Sequence, residues 1–279
     1  MFTNTLTLKG KIRVILSQFK TVLLNFFNVK KKLYLYKAWS NINFPRKDSV
    51  IIIADGPSFN SDIAENIMLK RKHFDIITMN HYCLNDISKK LVPDYYLLSD
   101  PENVKTENIL SRKINESLKK YILNDCIKFI SPYGKRWEIY KKPFLQFNDS
   151  ENLSSNNIDP RHPRGYRSNT GFKAIALMLA LQYSKIFIVG FDYDYPRKIV
   201  LDKNNKLFLL DEHSYGSDKL DCSNYFDSVA HAMHWWATDY WHFKKLNSPK
   251  VINVTKTSMI DVFSRMNVED FNNYIRNIS

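Results

Sequence analysis

The run VIIIADGPSF, residues 50–59, decides how the rest of the chain is read. Four β-branched residues stop at Ala54-Asp55-Gly56-Pro57-Ser58, and a helical pattern follows. An unbroken apolar run bounded by turn residues reads as a strand buried on both faces. Strand-turn-helix junctions of this kind are where open α/β sheets hold nucleotides. Gly56 lets the backbone approach a ligand closely, and Ser58 is placed to cap a helix whose N-terminus attracts phosphate. The loop has one glycine where phosphate-binding loops have two or three. Read alone, an ordinary turn with a helix cap would need the same residues.

Outward from that junction, apolar runs alternate with amphipathic stretches. Strands are expected at Val50–Ala54, Phe74–Met79, Tyr95–Ser99, Cys126–Ser131, Lys185–Val189 and Lys250–Val254. Helices are expected at Ser61–Lys70, Glu102–Lys119, Thr170–Tyr183, Asp227–Leu246 and Ser258–Ser264. The alternation implies an α/β fold, a Rossmann-like and mainly parallel sheet with helices on both faces, forming one domain over residues 48–279. Its ligand crevice should be lined by the loops after Ala54, Met79, Ser99 and Val189. Residues 148–169 and 194–225 are polar and irregular, and long loops of that kind serve as lids.

The bulk composition excludes several classes. With 279 residues, 44% hydrophobic and 14% aromatic, the chain is neither disordered nor too small for a core. Three scattered cysteines, Cys83, Cys126 and Cys222, form neither a disulfide framework nor a metal-site spacing, which suits a reducing cytoplasm. The net charge of +13 is concentrated: residues 1–47 hold ten Lys and Arg and no acid, and the remainder is nearly balanced. Within that basic segment Ile12, Ile15, Phe19, Val22, Leu23, Phe26 and Phe27 fall on one helical stripe, followed by Lys30-Lys31-Lys32. Residues 9–32 therefore read as an amphipathic helix lying on an anionic membrane surface, each nearby lysine adding roughly 1 kcal/mol. Packing on the enzyme body or on a second copy in a homo-oligomer explains the same stripe. No run approaches transmembrane length, and no nucleic-acid-binding motif accompanies the charge.

Three further stretches carry chemistry. GYRSNTGFKAIALMLALQYSKIFIVGFDYDY, residues 165–195, joins a polar loop to a helix apolar almost all round. Arg167, Ser168, Asn169 and Thr170 at its start can hold an anion, by charge and by the helix dipole, or merely cap the helix. The strand that follows ends in Asp192-Tyr193-Asp194, an Asp-x-Asp of the kind that holds a divalent cation on a sugar diphosphate. HAMHWWATDYWHF, residues 231–243, offers His231 and His234 on one helical face; either is suited to proton transfer near neutral pH.

In order, these pieces resemble the small bacterial sialyltransferases of glycosyltransferase family 42. Those enzymes open on a strand and a G-N-G-P-S loop, and ADGPS stands in that place. Asn80 in IITMNHY and Asp100-Pro101 in LLSDPEN match the ends of the next two strands. Arg167-Ser168-Asn169-Thr170-Gly171 and GFDYD resemble the R-x-x-S-G loop and the GIDFY strand end. A histidine counted back from the strand-end Ser258 lands on His231. The resemblance spans roughly Ser49–Phe263. It implies a single-domain, GT-A-like fold and a CMP-activated ulosonic sugar, sialic acid or a relative, transferred to a hydroxyl of a bacterial surface glycan or glycolipid. It also implies His231 as general base, with no metal and no other cofactor. Tyr193, Tyr195 and Arg167 would serve the leaving group, and Asp55, Gly56, Pro57, Ser58, Asn80, Asp100, Ser168, Asn169, Thr170 and Gly171 would hold the nucleotide. The chain departs from the pattern at Ala54, Asp55, Asp100 and Asp194. Asp55 and Asp100 put carboxylates beside a phosphate, which repels unless neutralised. The alternatives are a metal-dependent transferase of nucleotide-diphosphate sugars acting through Asp192 and Asp194, and a non-catalytic nucleotide-binding scaffold of a glycan assembly complex. The expected location is the cytoplasmic face of the cell membrane, by peripheral attachment.

Overall fold

The computed structural model describes residues 16, 19, 29–40, 47–99, 116–119, 127–133, 144–150, 157–163, 169–213, 216–222 and 226–278. The expectations for Cys126, Asp100, Arg167, Ser168, most of the 9–28 stripe and most of the 102–119 helix fall outside them.

Eight parallel strands form the sheet: β1 (Ser49–Ile53), β2 (Phe74–Met79), β3 (Tyr95–Leu97), β4 (Lys128–Pro132), β5 (Leu145–Phe147), β6 (Lys185–Val189), β10 (Val251–Asn253) and β11 (Ser264–Arg265). Their spatial order is β11-β10-β6-β1-β2-β3-β4-β5. Alternation along β1 shows why its apolar run is unbroken. Val50 and Ile52 face one hydrophobic core with helix α3 (Thr170–Ala180), while Ile51 and Ile53 face a second core. That second core contains α2 (Ser61–Leu69) and α5 (Val268–Asn277). The α/β, Rossmann-like class read from the sequence is the observed one.

Two regions differ from expectation. Residues 258–264 form no helix, because side chains there compete for the backbone. Ser258 Oγ accepts from Ile260 N at 3.2 Å, and Arg265 Nη2 donates to the Ile260 carbonyl at 3.2 Å. The 194–225 stretch, expected as a polar lid loop, instead carries a three-stranded antiparallel sheet: β7 (Ile199–Leu201), β8 (Leu207–His213) and β9 (Gly216–Asp221). Leu207, Leu209 and Cys222 of this arm bury against Ala232 and Trp236 of α4 (Val229–Phe243). The second half of the basic N-terminal segment is also built into the body. Helix α1 (Val29–Ser40) buries Leu35 completely, and Trp39 Nε1 donates to the Gln146 carbonyl on β5 at 2.9 Å.

Candidate functional site

β1 and β6 lie side by side, yet the chain leaves them in opposite directions. β1 leads on to β2, and the segment after β6 leads on to β10. This reversal is the topological switch point, where the carboxyl ends of an open sheet leave a crevice. A cavity of about 300 Å³ lies there, lined by the loops after β1, β2 and β6 and by the start of α3. That volume is at the lower end of small-molecule sites.

Glycine closes the loops over the sheet. Gly56 N donates to the Gly190 carbonyl at 3.1 Å. A Cβ on Gly56 would sit 2.3 Å from that carbonyl and 2.1 Å from Asp192 Oδ2, so the missing side chain makes room for the neighbouring loop. Gly190, at φ +75°, occupies the left-handed region that glycine tolerates best, with Ala54 O 2.4 Å from its would-be Cβ.

Asp192 ties the three loops together. It accepts from Ser58 N at 3.2 Å, from Ser58 Oγ at 2.8 Å and from Thr257 Oγ1. Ser58 therefore clamps a loop; Asn60 caps α2, accepting from Ile63 N at 3.1 Å. Asp194 is ion-paired to Lys198 at 3.0 Å. Among the described residues no three His, Cys, Asp or Glu side chains gather as a metal would need. In this structure the first aspartate of the Asp-x-Asp clamps loops and the second is ion-paired.

On the other wall, Asn80 sits at φ 45°, a conformation asparagine tolerates. Its Nδ2 donates to Thr170 Oγ1 at 3.1 Å, and Ser99 Oγ shares a hydrogen bond with the same hydroxyl at 2.7 Å. Asn169 caps α3, accepting from Phe172 N at 3.1 Å, and its amide donates to the Tyr193 hydroxyl. That hydroxyl donates in turn to Asp239 of α4 at 2.8 Å. Burial, with the Asp239 carboxylate adding to it, holds the Tyr193 phenol well above its ordinary pKa. The chain of contacts fixes the N-terminus of α3, whose first N–H groups lack intrahelical partners.

Asp55 closes the floor. Its Oδ1 is sealed from solvent and has no hydrogen-bond partner in the structure. Burial pushes its pKa up to about 7, against the opposing influence of His213 and of the hydrogen bond from the His81 backbone. His213, at the end of β8, lines the same cavity.

The cavity thus gathers Asp55, Gly56, Asn80, Asn169, Thr170, Gly171, Tyr193 and Tyr195. Tyr195 stacks on Trp236 at 5.6 Å between ring centroids. Pro57 is exposed beside the cavity and is not part of its wall. His231 is also outside the wall: it lies in the first turn of α4, 41% exposed, with Nδ1 3.1 Å from Asp227 Oδ1. Sequence reading missed His213, Lys198, Asp239 and Thr257. His213 ends an irregular polar stretch and has no spacing partner. Asp239 and Thr257 act through loops far away in sequence.

Neither a family model nor a curated protein matches the chain. Among solved structures it is similar to the MAf glycosyltransferase from Magnetospirillum magneticum AMB-1, at 12% identity and a TM-score of 0.49. The likeness covers 85% of this chain and 35% of that one, so the chain spans about a third of that protein's length.

Proposed function

We propose that the chain is a glycosyltransferase that takes an ulosonic sugar from a CMP-activated donor and passes it to a hydroxyl of a bacterial surface glycan. One observation carries the reading. Asp55 and Gly56, Asn80 and the Asn169-Thr170-Gly171 turn, far apart in sequence, converge on a single cavity at the switch point. A close-packed loop, side-chain hydrogen bonds and the free amides of a helix start are groups that suit a nucleoside monophosphate. A phosphodiester carries one charge, and hydrogen-bond donors suffice for it. The metal-dependent alternative has little support, since Asp192 is already bonded to Ser58 and Thr257.

In this reaction the acceptor oxygen attacks the anomeric carbon, the bond from that carbon to the phosphate oxygen breaks, and CMP leaves with the electron pair. The acceptor proton passes to a base. We assign it to His231, whose Nδ1 lies 3.1 Å from Asp227 Oδ1 in the first turn of α4. α4, which carries His231, also packs Trp236 on Tyr195 at the cavity rim.

Thermal stabilisation by nucleotides tests the proposal. CMP is expected to raise Tm and UDP or GDP to leave it unchanged, with manganese making no difference. A manganese-dependent shift with UDP or GDP overturns the donor assignment, and no shift with any nucleotide favours the scaffold reading. Donor hydrolysis across a set of CMP-sugars then identifies the sugar. His231→Ala is expected to abolish transfer while CMP still binds; retained transfer removes His231 from the mechanism.

A further inference from the structure

Outside the switch-point cavity, α4 presents to solvent a ring that the proposed transfer leaves unused. Trp241 is 60% exposed. It follows Ala237 by four residues and precedes Lys244 by three, so the three share one side of the helix, and the small Ala237 leaves a hollow beside the indole. Met259 and Asp261, from the segment between β10 and β11, line the same hollow, which with Tyr240 encloses about 300 Å³. We propose that it holds one neutral sugar ring of the acceptor glycan, stacked on Trp241, at a unit other than the one that receives the new sugar. That the sugar belongs to an acceptor rests on the glycosyl-transfer reading above.

The chemistry of the lining selects this occupant. An indole face is apolar and matches the C–H face of a pyranose, whose edge carries hydroxyls that both donate and accept. The Asp261 carboxylate accepts hydrogen bonds and the Lys244 ammonium donates them, and both residues are exposed at the hollow. An anionic unit would be repelled by Asp261, so the ring is a neutral one. The Lys244 ammonium also lies over the Trp241 ring, 5.5 Å from its centroid, and so restrains the ring before a ligand arrives. The exposed Trp235, six residues earlier, falls about 120° away around the helix and does not extend the surface. A specific protein interface needs roughly 800 Å² from each partner. One indole flanked by opposite charges has the size and polarity of a single sugar unit instead.

The hollow backs onto the donor cavity. The Tyr240 hydroxyl donates to the Tyr193 carbonyl, and Met259 N donates to the Asp192 carbonyl at 3.0 Å. Asp192 and Tyr193 line the switch-point cavity, so a single layer of chain separates the two spaces. The Met259 segment is itself fixed, because Arg265 Nη2 donates to the carbonyls of Ser258 at 2.5 Å and Ile260 at 3.2 Å. A unit held on Trp241 thus anchors the acceptor next to the donor cavity, and this anchoring helps to orient the reacting hydroxyl.

NMR of the full chain with the methyl glycosides of glucose, galactose, mannose and N-acetylglucosamine tests the site. At millimolar concentration at least one is expected to receive saturation transfer at its ring C–H protons. The same glycoside is expected to shift the Trp241 indole N–H resonance, which is assigned by its loss in Trp241→Phe. Trp241→Ala, at an exposed position, is expected to keep Tm and any response to CMP while weakening glycoside binding by about tenfold or more. Asp261→Ala is expected to weaken it too, through lost hydrogen bonds to the sugar hydroxyls. Binding of no glycoside, or equal binding to wild type and Trp241→Ala, overturns the proposal. Displacement of the glycoside by CMP also overturns it, since the ring would then be a platform for the base. So does a dimer in sedimentation that Trp241→Ala dissolves, which would give this face to a second copy. If a glycoside shifts Trp241 but CMP leaves Tm unchanged, the sugar subsite stands and the CMP-donor reading is what fails; if CMP raises Tm and no glycoside binds, the subsite alone fails.

Discussion

Burial of Asp55 makes stability depend on pH. An exposed aspartate loses its proton near pH 3.8, whereas burial keeps the proton on Asp55 in the folded chain up to about pH 7. Between those values the folded state binds more protons than the unfolded one, so the contribution of this residue to stability falls as pH rises and is fully lost above about pH 7. A shift of this size corresponds to about 4 kcal/mol. Asp55→Asn, which has no proton to lose, is therefore expected to gain on the wild type by up to that amount between about pH 4 and pH 8 in urea denaturation. An equal stability difference at both ends would show that Asp55 keeps an ordinary acidity. Gly56 makes a second prediction at this scale. An alanine there meets both Asp192 and the Gly190 carbonyl, and only the first of these can move aside. Gly56→Ala should cost about 1–3 kcal/mol, and adding Asp192→Ala should not restore it. The sequence reading gave Gly56 the role of admitting a ligand, whereas the atoms beside it in the fold are Asp192 and the Gly190 carbonyl. A glycine in a turn announces a missing side chain, and only the fold supplies the neighbour, here the end of β6.

Among the elements, legibility follows burial. β2 and β6 were predicted to the residue, because central parallel strands are apolar on both faces and read as continuous runs. Three-residue β5 and two-residue β11 at the sheet edges are too short to give a period. The β7–β9 arm escaped because it has only one face on α4, and its run LFLLDEH followed by GSDKLD is polar at its far end. α5 was missed although strongly amphipathic: Phe271 and Ile275 are its only fully buried side chains in a sequence otherwise polar. The site reflects the same rule. Asn80, Asn169 and Thr170 lie at the ends of well-read elements, whereas His213 came in on the unread arm. How α3 is held gives the prediction for this scale. Tyr193→Phe keeps the ring, which packs edge-on against Phe243 at 5.2 Å, but removes the hydroxyl from Asp239 and Asn169. Leaving the buried Asp239 without this donor should cost about 1–3 kcal/mol, and releasing the Asn169 amide should weaken nucleotide binding as well. An unchanged urea midpoint would show that α4 does not hold the start of α3 in place.

For the molecule as a whole, the open matter is where the basic segment ends and the body begins. Charge alone set that line at residue 47, but α1, on the basic side of it, packs on the body. Leu35 is fully buried, Tyr36 bonds to His162, and the Arg161 guanidinium lies 5.1 Å from the Tyr36 ring centroid. Residues 29–40 thus belong to the body, and no helix among the described residues is long and apolar enough to cross a membrane. In the segment before them, Phe19 of the stripe and its neighbour Leu16 are 65% and 61% exposed. Large apolar side chains facing water beside a cluster of lysines are what a peripheral membrane anchor presents. Two truncations separate anchor from scaffold. Removing residues 1–28 is expected to leave Tm and CMP binding unchanged while reducing sedimentation with vesicles rich in anionic lipid. The wild-type vesicle binding should weaken as salt rises, because exposed charges are screened within about 10 Å at 0.1 M. Removing residues 1–40 takes Leu35 and Trp39 as well, opens the core beside β5, and should cost a further 2–5 kcal/mol or so in stability. If the shorter truncation already destabilises the fold, the stripe packs on the body or on a second copy. If both truncations sediment with vesicles as the full chain does, the lysines and the stripe play no part at the membrane.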